Sequence, residues 1–126
     1  MKHELKILPE YFEAVVRGIK TFEVRKDDRP YKPGDVLVLR EYDAQKYTGR
    51  TCGADVLYVL RGEYCRDGYC IMSIKPDVLE AEWIEHMGAY RLYKKDTPHK
   101  TAAYTDDLKE AHDQGYAVIL EGGEIL

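Results

Sequence analysis

Residues 18–25, with the sequence GIKTFEVR, constrain the fold more than any other segment, because they predict a helix end followed at once by a strand. The first residue, a glycine, suits the left-handed conformation in which many helices end. The β-branched and aromatic residues that follow favour a strand. Side chains alternate along a strand, so Phe22 and Val24 are expected in the core. Glu23 and Arg25 then share the opposite, polar face.

Three charged side chains stand close together in this segment. At roughly 3.3 Å per residue, Glu23 and Arg25 lie about 7 Å apart along the strand, and Lys20 at its entrance can join them. Mixed surface charges usually form solvated ion pairs worth about 0 to 1 kcal/mol each. Two interpretations stay open: a solvated ion-pair cluster, or a site in which Lys20 or Arg25 holds a phosphate or carbonyl oxygen while Glu23 orients them.

The length of 126 residues fits one globular domain with a single core. No apolar run approaches the roughly 20 residues that cross a bilayer, and no signal peptide is evident, so we expect a cytoplasmic protein without membrane contact. The three cysteines form no disulfide pattern and are expected to be reduced. Their spacing, with scattered histidines, gives no reason to expect a metal, and no phosphate loop or other cofactor motif is present.

Charge is distributed unevenly along the chain. The formal net charge is −4, but residues 1–76 carry 14 basic and 12 acidic side chains, whereas residues 77–126 carry 5 and 11. The acidity therefore belongs to the C-terminal part. The chain also has 11 tyrosines against 2 phenylalanines, and each tyrosine brings a stacking face and a hydroxyl group.

Local patterns in residues 1–76 predict one helix among short strands. The helix covers residues 9–17, and the strands cover residues 3–8, 21–25, 36–42, 54–60 and 69–75. Proline and glycine mark loops between them, including residues 26–35 and 43–53. Short strands joined by polar loops suggest a small β-barrel.

The C-terminal part, residues 77–126, has a different pattern. An apolar stripe predicts a helix over residues 77–87, and a second helix is expected over residues 105–114 before a strand at 116–120. The polar stretch 90–104 is expected to be a loop or mobile arm. The predicted fold class is thus α+β: a small β-barrel over residues 1–76 with a short helix after its first strand, and a helical extension over residues 77–126 packed on it.

Gly18, Lys20, Glu23 and Arg25 reproduce the G-x-K-x-x-E-x-R signature of the ASCH domain, a β-barrel family similar to the PUA domains that bind RNA. Residues 2–76 as a whole resemble an uncharacterised bacterial and phage branch of that superfamily. The resemblance implies a cleft between the helix and one barrel wall that contains the lysine, glutamate and arginine of the signature. It also implies RNA, a nucleotide or a modified nucleoside as the ligand.

Seven further residues complete the candidate ligand site. Tyr47 and Arg50 are expected in a loop able to stack on a base and hold its phosphate. Arg29 can contact a phosphate or simply keep its loop soluble, and Tyr69 can contact the ligand or simply line the barrel rim. The remaining candidates are His3, which can equally be a structural hydrogen-bonding residue, Lys6 and Glu41.

Three functional hypotheses remain open, and the oligomeric state is undetermined. The first is non-covalent binding of RNA, a nucleotide or a modified nucleoside. The second is a small amidohydrolase or ribonuclease in which Lys20 is base or electrophile and Glu23 carries a proton. In the related acetylcytidine amidohydrolases a threonine occupies the position of Glu23, and Glu41 could at most replace their distant glutamate. The third is a non-catalytic interaction module whose acidic residues 77–126 bind a partner or cover the cleft.

Overall fold

A computed structural model describes all residues, 1–126. Strands contain 49% of the residues and helices 13%, and the strands form two sheets. The predicted α+β class with a helical C-terminal extension is therefore wrong, because the chain is mainly β in both parts. No helix is long and apolar enough to cross a membrane.

The first sheet contains five strands from residues 2–76. They are β1 (Lys2–Ile7), β2 (Phe22–Lys26), β3 (Val36–Asp43), β4 (Lys46–Leu60) and β5 (Tyr69–Pro76). Their order across the sheet is β1-β3-β4-β5-β2. The pair β1 and β3 is parallel and the other pairs are antiparallel. Both strands that flank the first helix, β1 and β2, are therefore edge strands.

Helix α1 (Pro9–Val16) confirms the helix predicted between the first two strands. Its end is set by Gly18, which has a φ of +75° and donates to the Val15 carbonyl at 3.0 Å. The next amide, of Ile19, donates to the Ala14 carbonyl at 2.9 Å. This pair of bonds is a Schellman cap, and it turns the chain from α1 into β2.

The main core lies between α1 and the inner face of the first sheet. Its largest fully buried members are Phe12, Val15, Leu37, Leu39, Val56 and Met72. Three residues from the C-terminal part belong to the same core: Ala117, Ile119 and Ile125. The C-terminal strand thus contributes to the first core as well as to its own.

Strand β4 is twice as long as its prediction, and the predicted loop 43–53 is wrong. A two-residue turn, Ala44 and Gln45, joins β3 to β4, and both residues have positive φ, of 48° and 68°. Tyr42 pairs with Tyr47 directly beside this turn. Tyr47 and Arg50 therefore lie on a strand, which fixes the side on which each side chain points.

The second sheet replaces the predicted helical extension. Its strands are β6 (Val78–Ile84), β7 (Ala89–Tyr93), β8 (Ala103–Thr105) and β9 (Ala117–Leu120), in the order β8-β7-β6-β9. A single 3-10 turn, Glu85–Met87, follows β6, and α2 (Lys109–Asp113) precedes β9. The strand expected at 116–120 is confirmed, while the expected arm 90–104 contains most of β7 and most of β8.

The predicted helix 77–87 fails because its apolar residues alternate. Leu79 and Ala81 are buried and point to one face of β6, while Glu80 between them and Glu82 after them point to the other face. This period of two belongs to a strand, and β9 and β7 supply the partners on both sides. The predicted helix 105–114 shortens to the five residues of α2.

The two sheets meet where β5 continues into β6. The Gly53 amide donates to the Gly115 carbonyl at 2.8 Å, and the Asp77 amide donates to the Gly53 carbonyl at 2.8 Å. A Cβ atom at Gly53 would lie 3.0 Å from the Gly115 oxygen, so the position has no room for a side chain. The division of the chain at residue 76 into two domains stays a prediction.

Candidate functional site

The edge strands β1 and β2 face each other without a backbone ladder between them. Two arginine side chains cross the gap instead. Arg25 Nη2 donates to the Lys6 carbonyl at 2.8 Å, and Arg29 Nη1 donates to the Glu4 carbonyl at 3.0 Å. We call this gap, with its two arginine bridges, the seam. The bridges satisfy carbonyl groups that an edge strand would otherwise leave exposed.

The side chains of β2 face the opposite way from the prediction: the apolar residues point outward and Glu23 points inward. Phe22 is 46% exposed and Val24 is 49% exposed, whereas Glu23 between them is only 3% exposed. The expectation that the apolar pair enters the core is therefore wrong. Glu23 can occupy the inner face because its charge is paired and hydrogen-bonded there, which is the condition for burying a carboxylate.

Lys20, Glu23 and Arg25 converge around that carboxylate. The Lys20 ammonium donates to Glu23 Oε1, and Arg25 Nε donates to Glu23 Oε2 at 2.9 Å. Lys20 Nζ also donates to the Phe22 carbonyl at 2.6 Å. Each carboxylate oxygen thus accepts one of these hydrogen bonds, and the two cations are held in fixed positions at the Glu23 carboxylate.

A cleft of about 430 Å³ opens on one side of the seam. Its apolar wall consists of Ile7, Leu8, Tyr11, Phe22 and Val24. Its polar residues are Lys6, Lys20, Glu23 and Arg25. The Lys20 ammonium lies 4.9 Å from the centroid of the Phe22 ring and 5.8 Å from that of Tyr11. We call this the aromatic cleft.

A second cleft, also of about 430 Å³, shares Lys6 and Arg25 with the first and opens on their other side. Its cationic side chains are Lys6, Arg25, Lys26, Arg29 and Arg40. Two acidic side chains, Glu4 and Asp28, partly offset these five. Leu5, Tyr31 and Tyr47 complete the lining. We call this the cationic cleft.

Aromatic rings of β3 and β4 hold two of these cations in place. The Arg40 guanidinium lies 3.8 Å from the centroid of Tyr47, and the Lys6 ammonium lies 4.4 Å from that of Tyr42. The two rings touch edge to face at 5.2 Å. Cations over aromatic faces are attracted by the ring quadrupole. These contacts present Arg40, Lys6 and Tyr47 together along one side of the cationic cleft.

Glu41 and Arg50 lie outside both clefts. Glu41 is buried and accepts hydrogen bonds from Arg50 Nε at 2.8 Å, Arg50 Nη2 at 2.5 Å and Thr48 Oγ1 at 2.7 Å. The Arg50 hydrogen bonds hold the pKa of Glu41 below its ordinary value. The pair links β3 and β4, and Glu41 does not reach the Lys20 ammonium. It cannot serve as a second carboxylate of a site built on Lys20.

His3 also lies away from the clefts, in the interior. Its Nε2 lies 2.8 Å from Asp35 Oδ2, both residues are buried, and the ring of Tyr31 packs edge-on against it with centroids 4.7 Å apart. The hydrogen bond from His3 is the main cause that lowers the pKa of Asp35 to about 2. His3 and Asp35 tie β1 to the start of β3, which is a structural role.

Tyr69 is separated from the clefts as well. It lines a different depression with Asp27, Arg61 and Arg66, and the Arg66 guanidinium lies 5.3 Å from its ring. Of the sequence-predicted residues, the structure therefore brings together Lys6, Lys20, Glu23, Arg25, Arg29 and Tyr47. It does not bring His3, Glu41, Arg50 or Tyr69 to the same surface.

Sequence reasoning missed several lining residues of the clefts, and the three that the site depends on most are Tyr11, Phe22 and Arg40. Phe22 could have been found by assuming that the signature glutamate is buried, since its neighbours on the strand must then face outward. Arg40 is the register partner of Lys6 in the β1–β3 pair, so only the sheet topology connects them. No feature of the sequence identifies Tyr11 as a lining residue.

No residue of the C-terminal part, 77–126, lines either cleft. The acidic residues there do not cover the seam in this structure. No group of three or more histidine, cysteine, aspartate or glutamate side chains has the arrangement to hold a metal ion.

Comparison with known proteins places the chain beside uncharacterised relatives. An uncharacterized 12.9 kDa protein in the GpA 3′ region of Escherichia phage P2 is 43% identical over 54 residues, which is 43% of this chain and 50% of the phage protein. The chain thus spans about half the length of this curated relative. A family model described as Domain of unknown function (DUF3850) matches residues 2–74, which include α1, the seam and both clefts, and the chain belongs to that family.

Proposed function

We propose that this chain binds RNA or a nucleotide non-covalently in the two clefts beside the seam. The observation that carries the proposal is the meeting of an aromatic cleft and a cationic cleft at the shared residues Lys6 and Arg25. Aromatic side chains can stack on bases, and lysine and arginine can bind phosphates. The resemblance of Gly18, Lys20, Glu23 and Arg25 to the ASCH signature is an independent support.

The two shared cations have donors free for a ligand. Arg25 uses Nε for Glu23 and one Nη2 proton for the Lys6 carbonyl, so three of its five N–H groups remain. The Lys6 ammonium makes no hydrogen bond and lies over the Tyr42 ring. A phosphate placed between these two groups would receive donors from both sides without disturbing the ion pair of Glu23.

Binding is tested by fluorescence anisotropy with a labelled single-stranded oligoadenylate, followed by competition with mononucleotides. Lys6→Ala and Arg40→Gln should weaken binding, and Lys100→Ala, at an exposed lysine outside both clefts, should not. Affinity should fall with salt, and each lost phosphate contact should reduce the log-log slope by about 0.7. Undetectable or salt-independent binding across these probes would overturn the proposal.

A small amidohydrolase or ribonuclease is the second candidate, because Lys20 and Glu23 both line the aromatic cleft. The occupation of both Glu23 oxygens by Lys20 and Arg25 counts against free proton transfer by that carboxylate. Turnover of acylated nucleosides and of single-stranded RNA, measured for the native chain and for Lys20→Ala, separates the candidates. Equal background rates for the two proteins would reject catalysis.

A further inference from the structure

The two clefts are consecutive along the seam, and this arrangement limits what can fill both. They share Lys6 and Arg25, and the Arg25 side chain crosses between β2 and β1 at that point. A ligand that occupies both clefts must therefore pass over these two cations. From this we infer, resting on the proposed function, that the preferred ligand is a single RNA strand of at least two nucleotides, with one base in each cleft and the joining phosphodiester at Lys6 and Arg25.

The aromatic cleft suits the first base. Phe22 and Tyr11 are each 46% exposed, so both rings present free surface although they line a concave site. Leu8 and Val24 extend the apolar wall, and the only charges there are Lys20, Glu23 and the shared pair. An exposed aromatic wall of this kind offers stacking to any base.

The cationic cleft suits the second base and the sugar-phosphate backbone that follows it. Tyr47 is 41% exposed, and the planar Arg40 guanidinium lies against its ring at 3.8 Å. Arginine planes and tyrosine rings both stack on unpaired bases. Lys26 and Arg29 supply charge for a following phosphate, while Glu4 and Asp28 can accept hydrogen bonds from base amino groups.

A duplex does not fit this arrangement. Each cleft must receive a base whose faces are free, and paired, stacked bases inside a helix offer only their edges. A mononucleotide fits with its base in the aromatic cleft and its phosphate at Lys6 and Arg25, and it leaves the base position of the cationic cleft empty. The two-cleft arrangement therefore ranks the ligands: single strand and dinucleotide above mononucleotide, and duplex below the single strand.

Calorimetric titration of the full chain tests this order with four probes: adenosine 5′-monophosphate, the dinucleotide ApA, a single-stranded oligoadenylate and a blunt RNA duplex of the same length. ApA carries less charge than the monophosphate, so charge alone predicts weaker binding of ApA. The second stacked base should instead make ApA bind about tenfold more tightly.

Two exposed aromatic positions provide the matched variants. Phe22→Ala should lower the affinities for the monophosphate and for ApA by similar factors. Tyr47→Ala should lower the affinity for ApA about tenfold and leave the affinity for the monophosphate unchanged. Tyr64→Ala, at a tyrosine that is 81% exposed and outside both clefts, is the control and should change neither.

Equal affinities for ApA and the monophosphate, no selective effect of Tyr47→Ala, or duplex binding as tight as the single strand would each overturn the inference while leaving nucleotide binding in place. Failure of all four probes to bind would instead overturn the proposed function, and the inference with it.

Discussion

Arg25 Nη2 donates to the carbonyl oxygen of Lys6 at 2.8 Å and so connects the two edge strands of the first sheet through a side chain rather than a backbone ladder. A backbone hydrogen-bond ladder between β1 and β2 would have left no cleft between them. The Arg25 guanidinium instead leaves open space on both of its sides, and these spaces are the aromatic and cationic clefts. Arg29 forms the second bridge, to the Glu4 carbonyl, but only Arg25 also holds Glu23, so Arg25 joins the closure of the sheet to the site.

Replacing Arg25 should therefore reduce stability as well as binding. In Arg25→Ala, the Lys6 carbonyl loses its partner and the buried Glu23 keeps only Lys20, so the free energy of unfolding should fall by about 1–3 kcal/mol. Urea unfolding followed by circular dichroism measures it. Arg66→Ala removes an exposed side chain that forms no hydrogen bond or ion pair and lies 5.3 Å from the Tyr69 ring centroid, so it should change stability by less than about 0.5 kcal/mol. Equal effects of the two substitutions would contradict the closure role of Arg25.

The Glu41–Arg50 pair should be structural and should not affect binding. Arg50→Ala removes two of the three hydrogen bonds to a buried carboxylate, at a cost of about 2–4 kcal/mol, less than for a fully buried pair because Arg50 retains some contact with water. RNA affinity measured well below the unfolding transition should stay within about twofold of the native value, a shift of less than 0.5 kcal/mol. A large loss of affinity in a folded Arg50→Ala protein would place Arg50 in the site after all.

Acid should destabilise the protein through Asp35. The folded pKa of Asp35 is lowered to about 2 from an ordinary 3.8, chiefly by the His3 hydrogen bond. Its contribution to stability is then complete above about pH 5 and is lost progressively as the pH falls from about 5, past the unfolded pKa and then through the folded pKa, toward about 1. Urea midpoints at several pH values in this range should fall for the native chain and fall less steeply for Asp35→Asn. The exposed Asp43→Asn provides the control and should follow the native curve.

A substitution in the turn between β3 and β4 should make the protein more stable. Gln45 has a φ of 68°, in the left-handed region where glycine has no steric cost. Two-residue hairpin turns with positive φ at both positions favour Asn-Gly, and the native pair is Ala-Gln. Gln45→Gly should raise the free energy of unfolding by roughly 0.5 kcal/mol or more. Thermal unfolding measures it, and a lower melting temperature would show that the Gln45 side chain makes a compensating contact.

The Ala44–Gln45 turn lacks an Asn-Gly or Asp-Gly signature, and this explains the largest error in the secondary structure predicted for residues 1–76. Glycines and polar residues between 43 and 53 predicted a long loop, whereas the Ala44–Gln45 turn carries no Asn-Gly or Asp-Gly signature. By contrast, α1 was predictable because Pro9 begins it, Gly18 ends it, and one apolar face lies between them. The strand β6 was misread because a short alternating run with a tryptophan also satisfies helical spacing.

The part of the site that lies within one segment of the sequence was predictable. The charges at 20, 23 and 25 are adjacent in sequence, so their convergence follows from local geometry. The orientation of β2 was not predictable from hydrophobicity, because the pairing of Glu23 with Lys20 and Arg25 lets a carboxylate occupy the inner face while Phe22 and Val24 face outward. Arg40 and Tyr47 join the site only through the β1–β3–β4 pairing, which no single segment of sequence contains.

Mapping of amide chemical shifts during titration with a single-stranded oligoadenylate tests the central claim most directly. Binding in the two clefts predicts that the perturbed amides cluster at residues 4–8, in and just after β1, at residues 20–26, just before and in β2, and around Arg40 and Tyr47. Amides of the second sheet and of the depression beside Tyr69 should stay unchanged. Perturbations centred on residues 77–126 or on Tyr69, with the seam unaffected, would contradict the proposal that the seam is the binding site.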